Sequence, residues 1–252
     1  GLDARFGNGK AMVTLLEKIS HREGIGDLLA EGSLRAAQKI GKGAEQYSIQ
    51  VKGQELPMHE PRLKTVLGLG YALSPTGADH CHNIHDTGFV KNSSSYDALG
   101  VGGGPIPADD LSDRKVRILA AELPHKFFNN CVCLCNFVGW GYDKIVELIR
   151  ATTGWNTTIQ EVSVVGERAI TLARIFNLRE GFTAADDKLP KRIHEAFVSG
   201  PLKGVAITPE QLEEAKQTYY EMMGWDKETG VPLRGKMKQL DIEWALDLLE
   251  DE

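Results

Sequence analysis

Residues 158–182 read "TIQEVSVVGERAITLARIFNLREGF". Thr158 and Glu161 stand in capping-box register, where hydroxyl and carboxylate satisfy each other's orphan backbone N–H groups at a helix start. Val162, Val165, Ile170, Leu172 and Ile175 follow at helical spacing, one apolar stripe long enough to organise a core. The stretch predicts a long amphipathic helix, and the segments on either side repeat its pattern.

Upstream, "GKAMVTLLEKISHREG" (9–24) carries Met12, Leu15, Leu16 and Ile19 at helical spacing, with Gly24 as its stop. "IGDLLAEGSLRAAQKIGKG" (25–43) predicts a second helix, capped by Asp27, weakened by Gly32 and ended by Gly41 and Gly43. "YSIQV" (47–51) alternates as a short strand does. "SDRKVRILAAELPHKFFNN" (112–130) predicts a helix capped by Ser112 or Asp113 and bent at Pro124. "GYDKIVELIRATTGW" (141–155) and "TPEQLEEAKQTYYEMMGW" (208–225) continue the series, the latter with Pro209 in its first turn. "LDIEWALDLLEDE" (240–252) predicts one more short helix. The expected class is all-α and multihelical, with two closely packed helical units, long Gly/Pro-rich loops and at most a short strand pair. No internal repeat interrupts this reading.

Composition sets the outer bounds. In 252 residues, 42% are hydrophobic and 25% charged, as in an ordinary globular protein with a full core. The net charge of -6 and the scattered basic residues argue against nucleic acid and against a membrane-surface role. No apolar run is long enough to cross a bilayer, and "GLDARFGNGKAM" has no signal-peptide core. A chain that starts without methionine is expected to be cut from something longer. Four cysteines with C-x-C-x-C spacing make a poor disulfide framework, so reduced thiols and a cytoplasmic setting are expected.

From 52 to 113 helical periodicity fades into Gly-, Pro- and His-rich sequence. Such a loop region inside a compact domain usually has a function. "GADHCHNIHD" (77–86) gathers His80, His82 and His85 with Asp79, Cys81 and Asp86. Two histidines and a carboxylate suit zinc or non-haem iron, a single histidine suits acid–base work, and the same residues suit a polar loop. "NNCVCLCNF" (129–137) holds Cys131, Cys133 and Cys135. That is too few thiolates for a complete iron–sulfur motif, which leaves one ligand to a cluster completed elsewhere, or packing beside Leu134 and Phe137. "GLGYALSPTG" (68–77) and "GVGGGP" (100–105) permit close backbone approach but lack the strand-to-helix context of a dinucleotide fingerprint. Asp109, Asp110 and Asp113 read as helix-start and surface charges.

Taken together, "FGNGKAMVTLLEKISHREGIGDLLAEG" (6–32), "VKGQELPMHEPR" (51–62) and "GLGYALSPTGADH" (68–80), with the later "LARIFNLREGF" and "DDKLPKR", resemble the C-terminal region of the tungsten-containing aldehyde:ferredoxin oxidoreductases. The resemblance spans essentially the whole chain. It implies that residues 1–46 are the end of the family's first helical domain and 47–252 its second. The family's N-terminal saddle for a bis-pterin tungsten (or molybdenum) cofactor has no counterpart here, nor does the C-x-x-C-x-x-x-C segment carrying three of four [4Fe–4S] ligands. A family segment D-x-x-G-L-C binds pterin and supplies the fourth ligand. Here Asn130 falls at its Asp, Cys133 at its Gly, Leu134 at its Leu and Cys135 at its Cys. The resemblance therefore implies Cys135 as the cluster ligand and Asn130 and Leu134 as cofactor contacts. Asn130 retains an acceptor oxygen but not the charge, and Cys133 adds a side chain where backbone closeness is needed. His80 matches the histidine beside the metal and is the implied catalytic proton-transfer residue. His82, where some members carry lysine, and Asn83 are implied at the pterin site.

The implied reaction converts an aldehyde to a carboxylic acid, with electrons passing through the cluster to ferredoxin. The expected partners are ferredoxin, the missing N-terminal pterin-binding domain and a small-molecule aldehyde. Residues 66–107 are the expected channel walls. The chain alone is expected to hold neither metal nor cluster, to be inactive, and to expose an apolar face suited to self-association as a homo-oligomer. Two rival readings stand beside this one: a zinc-dependent hydrolase using His80, His82 and His85, and a non-catalytic helical interaction module.

Overall fold

A computed structural model describes residues 2–91, 99–101 and 104–249. Its elements run α1 (Gly9–His21), α2 (Ile25–Leu29), α3 (Gly32–Ile40), β1 (Gln50–Val51), β2 (Gln54–Glu55), α4 (Thr65–Leu73), α5 (Asp113–Cys131), α6 (Tyr142–Thr153), α7 (Ile159–Arg179), α8 (Pro209–Met222) and α9 (Arg234–Gln239). The strands form one antiparallel pair, Gln50 opposite Glu55 and Val51 opposite Gln54. The protein is all-α and multihelical, with short 3₁₀ turns at Ala44–Tyr47, Asp86–Gly88, Asn136–Val138, Lys191–His194 and Glu243–Leu249.

The capping boxes form as spelled. Thr158 Oγ1 accepts from Glu161 N and Glu161 Oε2 from Thr158 N, and Thr208 and Gln211 exchange the same pair of bonds ahead of Pro209. α7 lies along α5. Gly166 makes that approach possible, because a Cβ there would sit 1.7 Å from the Pro124 carbonyl oxygen. Pro124 lies inside α5, which runs through it to Cys131 rather than ending there.

Three expectations change at the N-terminal end. α1 closes on Arg22, whose backbone is left-handed (φ 54°) and whose N–H reaches the Ile19 carbonyl, so Gly24 opens the next turn instead of stopping this one. The expected second helix is two, because Gly32 adopts φ 82° at the joint. Residues 44–47 form a 3₁₀ turn, so only the end of "YSIQV" is strand.

The larger correction concerns the glycine-rich stretch. "TVLGLGYAL" is a helix, α4, with eight of its nine residues buried. A helix buried all round shows no amphipathic period, which hides it from a pattern search. Residues 66–73 are thus core, not channel wall. Gly102 and Gly103 of "GVGGGP" and residues 92–98 of the expected walls lie outside the described residues.

The main core joins Val66, Leu67, Leu69 and Tyr71 of α4 to Val116, Ile118 and Leu119 of α5, Ile170 of α7 and Tyr219 and Tyr220 of α8. Asp86 caps α4 from below: its Oδ1 accepts from Val66 N (3.1 Å) and its Oδ2 from Leu67 N (3.0 Å). Lys115, fully buried like Asp86, completes an ion pair with it and donates to the Pro107 and Ala108 carbonyls at 2.8 Å. A second buried knot centres on Asp187, which pairs with Lys52 (2.6 Å) and Arg174 (2.7 Å) and accepts from Tyr220 Oη. Burial pushes the Lys52 ammonium down, against the pull of Asp187. The knot ties the strand turn to α7 and α8.

Candidate active site

The loop after α4 carries the histidines. Its path is set by two side chains pointing inward. Asn83, 4% exposed, donates from Nδ2 to the Leu67 carbonyl (3.0 Å) and accepts at Oδ1 from Ile84 N (2.9 Å). It fits only because position 70 is glycine, where a Cβ would meet the Asn83 amide at 2.1 Å. Asp86 anchors the other end on α4. Between them Ile84 is buried in the main core and His85 is half-buried. Asn83, expected at the pterin site, thus has both ends of its amide committed to the fold.

Three imidazoles converge there. The His59 ring lies 5.1 Å from that of His80 and 4.6 Å from that of His85, and His80 lies 6.1 Å from His85. Lys64 donates to His85 Nδ1 (3.2 Å) and His59 Nδ1 (3.4 Å), which assigns the ring proton of each to Nε2. Burial, then Lys64, hold both imidazoles below their ordinary range, His85 down to about 4.

His82 turns the other way. Its Nδ1 donates to Asp79 Oδ2 at 2.5 Å, its Nε2 accepts from Asn130 Nδ2, and its ring lies 5.3 Å from that of Phe127. Asp79 also accepts from Cys81 N at 2.6 Å. The zinc set of His80, His82 and His85 is therefore not assembled. The tightest metal-capable group among the described residues is Asp79, His80 and Cys81, with donor atoms within 4.8 Å, and its carboxylate already serves Cys81 N and His82.

The Asn130 contact joins this loop to the cysteine segment. α5 ends there in a Schellman motif: Leu134 N donates to Asn129 O (2.7 Å) and Cys133 N to Asn130 O (3.0 Å). The C′ position of that motif needs a left-handed backbone, and Cys133 supplies it at φ 57°. Backbone conformation, more than crowding, is what a glycine would serve here. Leu134 tucks against Phe128, Ile145, Val146 and Val162. All four cysteines are free, and Cys131, Cys133 and Cys135 are exposed, so the packing reading of that cluster fails. Phe137, beside which they were expected to pack, is 81% exposed.

Cys135 lies close enough to Cys81 to help raise its thiol, after burial and Asp79. It also borders a hollow of about 370 Å³ with His125, Lys126, Asn129, Trp140 and Tyr142. Lys126 reaches both sides, since its charge acts on His85 and Cys81. Cys135, Asn130, His82 and His80 thus share one seam. Met58, Val132, Phe137, Val138 and Trp140 are exposed apolar side chains in the segments that form it.

Residues 1–242 match the family described as aldehyde ferredoxin oxidoreductase, domains 2 and 3. The chain belongs to the aldehyde ferredoxin oxidoreductase family. It is 36% identical over 245 residues to the tungsten-containing aldehyde ferredoxin oxidoreductase of Pyrococcus furiosus, covering 94% of this chain and 38% of that protein. The enzyme of the same description from Thermococcus kodakarensis is 35% identical, with 94% and 38% covered. The aliphatic sulfonate oxidoreductase WOR-like subunit of Pyrococcus furiosus is 33% identical, with 96% and 36% covered. The chain thus spans under two-fifths of the length of these relatives. Among solved structures, the active-site complex BamBC of benzoyl coenzyme A reductase with 1,5-dienoyl-CoA shares the fold, at TM-score 0.69 and 22% identity over 98% of this chain and 40% of that one. No helix among the described residues is long and apolar enough to cross a membrane.

His59, Lys64 and Lys126 carried no site signal in the sequence, and Asp79 only that of a possible metal-ligating carboxylate. His59 stood in "VKGQELPMHEPR", whose role was only to carry the resemblance. Lys64 had no signal at all, being 21 residues from the His85 it touches.

Proposed function

We propose that this chain is the C-terminal helical part of an oxidoreductase that converts aldehydes to carboxylic acids and passes electrons through a [4Fe–4S] cluster to ferredoxin. In this reading residues 1–46 end one helical domain and 47–252 form the next. The observation that supports it is the seam: an exposed, unpaired Cys135 sulfur beside the loop that carries His80.

The residues present fit the cofactors. A cluster ligand must be a thiolate with an open approach, and Cys135 is exposed. A pterin contact must offer an acceptor to ring N–H groups. Asn130 Nδ2 is occupied by His82, which leaves Oδ1 as the open end of the amide. Asp79 fixes the His82 tautomer by accepting a hydrogen bond from Nδ1–H, so that Nε2 is the acceptor that orients Asn130. Leu134 seats the segment against α6 and α7.

When bound, the tungstopterin (molybdenum is the alternative metal) supplies the two-electron acceptor. His80 holds or delivers the proton that hydration and oxidation of an aldehyde require, and Lys64, His59 and His85 form its polar surroundings. The exposed apolar residues at the seam are the surface for the N-terminal domain, which completes the pterin site.

The test is to express this chain with the family's N-terminal domain on one polypeptide and measure metal content, the reduced-cluster EPR signal and aldehyde-dependent dye reduction. Cys135→Ser should lose the cluster signal. His80→Ala should keep tungsten and lose most turnover. An unchanged cluster in Cys135→Ser or near-normal turnover in His80→Ala would overturn the assignment, and failure to gain any cofactor would favour a non-catalytic interaction module.

A further inference from the structure

The chain's well-shielded lysines follow a rule that one basic cluster breaks. Lys52 pairs with Asp187, Lys115 with Asp86, Lys216 with Glu213 and Lys236 with Glu167, at 2.7 Å or less in every case. A shielded ammonium without a counter-ion is costly, so such pairing is what physics demands. Lys64, half-buried at the start of α4, has no carboxylate partner among the described residues; its bonds go to two imidazoles. Neutral imidazoles satisfy donors but do not cancel charge.

The surroundings add to the imbalance. His59, His80 and His85 bring three protonatable rings within 4.6 to 6.1 Å of one another. Lys126, paired with Glu122 on α5 at 3.4 Å, also acts on His85 as a positive charge, so Lys64 is the member of the cluster with no carboxylate partner among the described residues. The nearby carboxylate, Asp79, is turned to Cys81 N and His82. Burial first, then Lys64 and the neighbouring rings, hold His85 and His59 below their ordinary range, so the cluster already resists further positive charge. One negative group placed among them would offset the positive charge of Lys64 and accept from the neighbouring ring N–H groups.

We infer that His59, Lys64 and His85, beside His80, form a binding subsite for a small oxyanion, specifically a carboxylate. The choice of carboxylate rests on the aldehyde-oxidising reading, in which His80 adjoins the position where that group forms. A planar carboxylate has two acceptor oxygens, suited to the Lys64 ammonium on one side and an imidazole Nε2–H on the other. Holding the group there draws it from the reacting position and gives departing product its first contact with protein.

The test needs no cofactor. In the 252-residue chain, imidazole NMR signals are followed while acetate replaces chloride at constant ionic strength. The signals of His59 and His85 should move saturably, while those of His21, His125 and His194 stay still. Lys64→Met should weaken acetate binding about ten-fold, the worth of one charge-assisted hydrogen bond, and Lys64→Arg should largely restore it. Equal effects of acetate and chloride, movement spread over all histidines, tighter binding of phosphate than acetate, or unchanged affinity in a folded Lys64→Met would each overturn the subsite. A silent acetate titration in a chain that still assembles its cofactors refutes the subsite alone. Acetate binding in a chain that never gains a cofactor refutes the enzyme reading alone.

Discussion

Replacing Asp86 by Asn tests how the histidine loop is held. The substitution keeps shape and removes one charge. Asp86 and Lys115 are both fully buried, and breaking such a pair from one side costs about 3–5 kcal/mol, because the remaining charge is stranded. One of the two α4 amides, Val66 N or Leu67 N, would also face an NH₂ group in place of an acceptor oxygen, worth about 1–3 kcal/mol. The two losses share a residue and are not additive, so we expect about 4–6 kcal/mol. For a chain of this size that is a fall of about 10–20 °C in Tm. The assay is urea and thermal unfolding by circular dichroism, with wild type and Asp86→Asn compared alongside Asp86→Asn/Lys115→Met. The double variant removes the stranded charge and should recover a large part of the loss, although the Pro107 and Ala108 carbonyls lose their donor. A single variant within about 1 kcal/mol of wild type, the worth of an ordinary hydrogen bond, would refute the reasoning. So would a double variant no more stable than the single.

Other predictions follow from the same geometry. Cys133→Gly should stabilise the chain by about 0.5–1 kcal/mol, since relief of a left-handed side chain outweighs the added freedom of the unfolded state. A raised urea midpoint is the readout, and a lowered one counts against the Schellman assignment. Glu122 is 3% exposed, and burial pushes its carboxyl up to about 7 against the pull of Lys126. A raised folded-state pKa means the folded form holds the proton more tightly, so this contribution is full below the ordinary carboxylate range and is lost as pH rises toward 7. Glu122→Gln should remove that slope from the stability profile. His125 has the opposite sign: burial lowers it to about 4, so its contribution is present at neutral pH and lost as pH falls from the ordinary histidine range toward 4. His125→Gln should flatten the acid limb, with Ser163 keeping a partner.

Much of the fold was written locally. α7 and α8 begin at capping boxes made of neighbouring residues; the α8 stripe faces the main core, while that of α7 is shared among three clusters, through Val162, Ile170 and Ile175. α4 escaped because it is buried on every side and carries two glycines. Gly32 read as a weakness but serves as a joint, since its φ of 82° is a property of the folded path. At the candidate site, only the resemblance carried by several motifs in order pointed to Cys135, His80 and His82. Asn83 was expected at the cofactor; its amide donates to Leu67 of α4 and accepts from Ile84 N of its own loop.

What the amino-acid order determined alone was what rests on contacts a few residues long: helix starts, apolar periods, and the ordered motifs that mark the family. What only the tertiary structure decided was which charges lack a counter-charge and which histidines face one another. His59, Lys64 and His85 meet across a turn and a helix start, and Asn130 meets His82 over 48 residues of chain. Charge balance is a sum over neighbours in space, and no local period in the chain encodes it.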